Sequence, residues 1–248
     1  MGGVTALENN QPMTELLDPH EFDHTHADVS GGWLRAATFG AMDGLVTNTA
    51  LIAGVGAAAG EHTVLLSGVA GLVAGAFSMA LGEFTSVTTA NEQIDAEVKV
   101  ERAAIERNPE AEKAELVRML MKKGLTEATA RDAVEEIHAD EDEAVAVHLS
   151  NEIGIQPGHE PSPWVAAGSS FLMFAIGAVI PLIPYLLGLG SLPVGLMCGG
   201  VGLLIAGALA AHFTKQPWWL GALRQLLFGA IAVGATYLIG DLIGATVS

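Results

Sequence analysis

The sequence predicts an all-α integral membrane protein: five transmembrane helices, with a cytosolic three-helix domain inserted between helices 2 and 3. Three observations lead there. Half of the 248 residues are hydrophobic and the mean hydropathy is +0.43, high for a water-soluble globule. The chain nevertheless carries a net charge of −17, high for a simple membrane bundle. The two properties are segregated. Residues 1–31 hold six acidic and no basic side chains, residues 91–163 hold 18 acidic and eight basic ones, and the remainder holds only Asp43, Glu61, Glu83 and Asp241 against Arg35, Lys215 and Arg224.

The domain boundaries follow from that division. Residues 1–31 form an acidic tail without apolar periodicity, expected to be flexible. It lacks the cationic start and cleavage site of a signal peptide. Residues 32–90 hold the first two spans, because a hydrocarbon core about 30 Å thick needs roughly 20 apolar residues in helix. The first covers 36–58, interrupted only by Asp43, and the second covers 64–82, with Glu83 next on the same helix. Residues 91–160 form the polar insert and 161–248 the last three spans. From Pro161 to Thr214 there is no charged residue, room for two helices with a hairpin at Gly188–Pro193, and 219–245 makes the fifth.

Basic residues set the orientation. With five spans, all eleven fall on one side, as do the four tryptophans at span ends, Trp33, Trp164, Trp218 and Trp219. The N-terminus and the 91–160 insert are thereby placed in the cytosol, with the C-terminus on the far side. Without a targeting peptide, the Ala- and Gly-rich chain suits the plasma (inner) membrane of a bacterium, with the membrane of an acidic organelle as the alternative.

Within the insert, the first helix continues out of span two to about Arg107. Asn108-Pro109 then starts a second helix, which ends at Lys122-Lys123-Gly124. A third is expected from Thr126 to Ile153.

Several function classes drop out. The acidity opposes binding to a phosphate backbone, so no nucleic acid is expected. The single cysteine, Cys198, excludes an intrachain disulfide and a cysteine-type zinc site. No G-x-S-x-G or HExxH stretch is present, which argues against an enzyme.

The candidate chemistry is ionic. Asp43 lies near the bilayer midplane, where a carboxylate costs at least ~2.5 kcal/mol and is kept for an ion, a proton or a hydrogen-bonding partner such as Thr47 or Asn48. Met79 and Glu83 share a face of span two. Gly40-xxx-Gly44 and Gly71-xxx-Gly75 let backbones approach and hint at association between two chains. In the insert, Glu97 and Glu101 are an i,i+4 pair, Glu112 and Glu115 an i,i+3 pair, and Glu141, His148 and Glu152 share a stripe. Carboxylates with one imidazole suit Fe²⁺, Mn²⁺, Zn²⁺ or Co²⁺, although a solvated acidic surface has the same composition. Glu135 and His138 (EEIH) resemble half of a di-iron motif, but no second copy exists, and His138 receives no role. His20, His24 and His26 form a loose cluster in the tail.

Four stretches, FGAMDGLVTNTALIAGV (39–55), GLVAGAFSMALGEFTSV (71–87), NPEAEKAEL (108–116) and LSNEIGI (149–155), resemble the vacuolar iron transporter family in order and spacing. The resemblance spans roughly residues 33–245. It implies a homodimer that exchanges Fe²⁺, and often Mn²⁺, for protons. It also implies that the three-helix insert is a metal-binding domain. By position, Asp43 and Met79 would line the pathway, with Glu83 near its cytosolic mouth, and Glu101, Glu112, Glu115 and Glu152 would ligate metal. Ala104 stands where the family often has a second glutamate, and His148 where plant members have a methionine. The expected activity is therefore that of a metal/proton antiporter exporting cytosolic divalent metal. The rival reading is a membrane-anchored metal buffer or sensor without transport.

Overall fold

The structure, a computed structural model, describes residues 32–158 and 160–247. The acidic tail, with His20, His24 and His26, lies outside them. Among the described residues every regular element is helical: α1 Trp33–Ala58, α2 Glu61–Arg107, α3 Pro109–Lys122, α4 Glu127–Ile137, α5 Glu141–Glu152, α6 Pro163–Val179, α7 Ile183–Leu186, α8 Leu192–Phe213 and α9 Trp218–Val247. Five helical stretches are long and apolar enough to cross a membrane: α1, the apolar part of α2, Pro163–Leu186, α8 and Trp218–Thr246. Large apolar side chains such as Leu66, Ile205, Leu223 and Ile231 stand more than half exposed on the bundle's outside. Such a surface on five helices long enough to span a bilayer suits hydrocarbon, and the chain is an integral membrane protein.

Local chemistry accounts for the helix ends. Pro109 and Pro163 sit in first turns, where a missing N–H costs nothing. Ser162 Oγ accepts from Val165 N–H, and Thr126 Oγ1 accepts from Thr129 N–H at 3.3 Å. The third span is not one α-helix. Pro181 and Pro184 each lack the N–H an α-helix needs, and the chain passes through a 3₁₀ turn, Ile180–Leu182, before α7. Asn48 of α1, fully buried, donates its Nδ2 to the Ala178 carbonyl just before this break at 2.5 Å.

Two sequence expectations change. The helix expected over 126–153 is two helices. Asp140 turns out of helical geometry and its Oδ1 accepts from Asp142 N–H at 2.9 Å and Glu143 N–H at 3.2 Å, capping α5. An aspartate at this point favours a new N-terminus over a continued helix. Arg102 of α2 then binds Glu141 and Asp142, each at 2.5 Å. Glu141 is thereby committed to an ion pair and does not join the stripe of His148 and Glu152.

The glycine motifs also have a local use. A Cβ on Gly44 would lie 2.2 Å from the Phe174 carbonyl oxygen of α6, and one on Gly40 2.8 Å from that of Ser170. A Cβ on Gly75 would meet the Phe174 ring at 2.3 Å, and one on Gly71 would meet Leu51 at 2.9 Å. Both G-xxx-G pairs therefore pack helices within one chain, and they give no support to an association between two chains.

Candidate metal centre

Three helices converge in the polar segment. α2 extends beyond its apolar part and presents Glu101; α3 presents Glu112; α5 presents His148 and Glu152, one turn apart. One ligating atom from each of these four residues lies within 4.8 Å of all the others. His148 is completely buried and Glu101 is 7% exposed, whereas Glu152 opens to solvent. The Nδ1 atom of His148 faces Glu101 Oε1 at 3.2 Å and Glu152 Oε1 at 3.4 Å.

The electrostatics are unbalanced. Burial, then the charge of Glu152, push the Glu101 carboxyl above its ordinary pKa; His148 pulls against them, and Glu112 and Glu115 add smaller upward pushes. Glu101 Oε1 is buried without a hydrogen-bond donor. An acceptor atom aimed into a cluster of carboxylates, with no aligned hydrogen bond and only the imidazole nitrogen of His148 near it, suits a cation. Three carboxylates and an imidazole form an oxygen-rich set appropriate to first-row divalent metals.

The structure brings together four of the seven candidate ligands named in the insert, Glu141 being held by Arg102. Glu97, one turn before Glu101 on α2, and the exposed Glu115 on α3 stand outside the cluster, although Glu115 is close enough for its charge to act on Glu101. Behind the cluster, His138 at the C-terminal end of α4 places its Nε2 3.2 Å from His148 Nε2. Burial, then His148 and Lys113, lower the pKa of His138.

Within the membrane part, half-buried Asp43 accepts a hydrogen bond from Thr47 Oγ1 at 3.1 Å. Asn48 turns to α6 instead. Met79 packs against Ala76, Phe174 and Ala178. Glu83 accepts from Arg35 Nη2 at 2.5 Å. Arg35, near the start of α1, has no role in the sequence reading; its signal is its position as the one basic residue between the tail and the insert.

A bundle of apolar helices with a mid-span carboxylate, carrying a carboxylate–imidazole cluster on the continuation of one of those helices, defines an integral membrane protein with a candidate cation site. The model of the VIT family matches residues 34–241. Among relatives, a "Vacuolar iron transporter" of Acanthamoeba castellanii is 34% identical over 86% of this chain and 79% of its own length. "Vacuolar iron transporter 1" of Eucalyptus grandis is 30% identical over 95% of this chain and 94% of its own. "Vacuolar iron transporter homolog 2" of Arabidopsis thaliana is 34% identical over 86% and 85%. The chain belongs to the VIT family.

Proposed function

We propose that this protein is a divalent-metal transporter that exports Fe²⁺, and Mn²⁺, from the side of the 91–160 segment in exchange for protons. The observation that carries the reading is α2. One continuous helix bears Glu101 of the metal cluster on its polar end and Met79 and Glu83 on its membrane part. Glu101 and Glu83 are eighteen residues apart, roughly 27 Å along the helix axis. The cluster gathers the ion, and Glu83 receives it at the entrance to the bundle.

Asp43 supplies the coupling. Its carboxylate has one hydroxyl partner, Thr47, and no cationic one among the described residues. An ionised carboxylate at that depth is costly, so it holds either the metal or a proton. Metal leaving Asp43 for the far side is replaced by a proton, and loss of that proton on the cytosolic side readies it for the next ion. The protein is a secondary transporter, with lipid, metal and protons as its partners and no tightly bound cofactor. We place the N-terminus and the 91–160 domain in the cytosol, by the distribution of Lys, Arg and Trp, and the protein in the plasma (inner) membrane of a bacterial cell. A homodimer is supported by the family resemblance and by the face of α1 around Asp43, where Phe39 is 57% exposed and Thr47 is also open.

Purified protein in liposomes is expected to move Fe²⁺ and Mn²⁺ when a proton gradient is imposed, and Asp43→Ala to abolish the flux. Undiminished transport by that variant would refute the coupling role. Tight metal binding by the wild type with no flux at all would favour the buffer or sensor.

A further inference from the structure

His138 and His148 meet only because the helix breaks between them. In one continuous helix, residues ten apart would be separated by about 15 Å and point to different sides. The turn at Ala139-Asp140 folds α5 back so that the two rings stand edge to face, with centroids 5.3 Å apart, planes at 83° and Nε2 atoms 3.2 Å apart. His148 is fully buried, so water cannot serve its Nε2.

We infer that His138 is a positioning residue for the metal centre: it accepts the Nε2–H of His148 and so turns the Nδ1 lone pair of His148 toward the ion. The inference rests on the metal-centre reading above. A neutral imidazole has one N–H and one lone pair. The carboxylates of Glu101 and Glu152 lie on the Nδ1 side, so metal bound among them uses the Nδ1 lone pair and leaves the proton on Nε2. A buried N–H without an acceptor is costly, and His138 Nε2 is the acceptor in reach. That nitrogen must then carry a lone pair, which puts the proton of His138 on its own Nδ1. Metal-bound histidines are commonly oriented in this way by a partner on the second nitrogen, and losing such a partner weakens metal binding about 10- to 100-fold. The usual partner is a carboxylate or carbonyl; here it is a second imidazole, supplied by a different helix.

The test uses the full chain in detergent with Co²⁺ as the probe, followed by its absorption bands, and Zn²⁺ for nitrogen NMR of ¹⁵N-histidine-labelled protein. His138→Leu, which fills the space but accepts nothing, is expected to raise the Co²⁺ dissociation constant about tenfold or more. His138→Gln, whose amide oxygen can accept, is expected to restore most of the affinity. In the Zn²⁺ form, His148 should show a metal-shifted Nδ1 and a protonated Nε2, and His138 an unshifted Nε2. Wild-type affinity in His138→Leu overturns the inference. Equal weakness in His138→Gln and His138→Leu reduces His138 to packing and also overturns it, as does a metal-shifted Nε2 on His138. If His148→Ala binds Co²⁺ as well as the wild type does, the metal-centre reading itself fails and this inference fails with it.

Discussion

Replacing Glu101 by glutamine separates a metal ligand from a structural residue, because the two roles predict opposite changes in the metal-free protein. Glutamine has the same shape and loses only the charge. In the metal-free protein the raised pKa of Glu101 means that the folded state binds protons more readily than the unfolded one. Stability from this group is therefore greatest at low pH and falls as pH rises through the ordinary carboxylate range toward the folded value. Glu101→Gln should remove that dependence and leave the metal-free protein as stable as the wild type at neutral pH, or more so.

With metal the order reverses. Zn²⁺ at about a hundred times its dissociation constant adds about 2.7 kcal/mol to the folded state. At about 2–4 °C per kcal/mol for a chain of this size, the wild-type Tm should rise by roughly 5–11 °C. A charge-assisted contact is worth about 1.5–3 kcal/mol, so the variant should bind roughly 10- to 100-fold more weakly. At the same Zn²⁺ concentration only about 0.4–1.4 kcal/mol of stabilisation then remains. Thermal melts by far-ultraviolet circular dichroism, with and without Zn²⁺, read both quantities. A variant that keeps the full metal-induced rise, or whose metal-free form melts well below the wild type, would refute the assignment of Glu101 as a ligand.

Four further outcomes follow from the membrane part. Gly44→Ala drives a methyl group into the Phe174 carbonyl and should cost about 1–3 kcal/mol in a thermal melt, as overpacking does. Gly82→Ala meets nothing within 4 Å and should be neutral or stabilising by up to about 1 kcal/mol in the same melt. Arg35→Gln removes the cation from Glu83 at little cost to stability, since Arg35 is 66% exposed in this pair. In liposome flux, metal should then reach half-maximal transport at a lower concentration. Asn48→Leu strips the Ala178 carbonyl of its side-chain donor and should destabilise by about 1–3 kcal/mol.

Much of this protein is local in origin and therefore visible in the sequence. Each span shows itself as an apolar run long enough for the bilayer, and proline or glycine marks the ends of α3, α6 and α8. Glu101 and Glu152 could be selected by spacing and family resemblance because a helix fixes which residues share a face. The same rules also selected Glu97 and Glu115, and they had no means of telling these from the members of the cluster. A helical register states where a side chain points around its own axis and says nothing about which helix stands opposite.

The tertiary structure made that selection. A capping bond at Asp140, stronger locally than helix propensity, split a predicted helix, freed α5 to bind Arg102 and brought His138 onto His148. Close α1–α6 packing used both Gly40 and Gly44 within the chain. What the sequence determined by itself was the set of helices, their order and the separation of apolar from acidic segments, since hydropathy and capping act over a few residues. Which charges meet depended on the angles at the breaks and on backbone contacts between distant segments. Those are settled only when all the helices are packed at once.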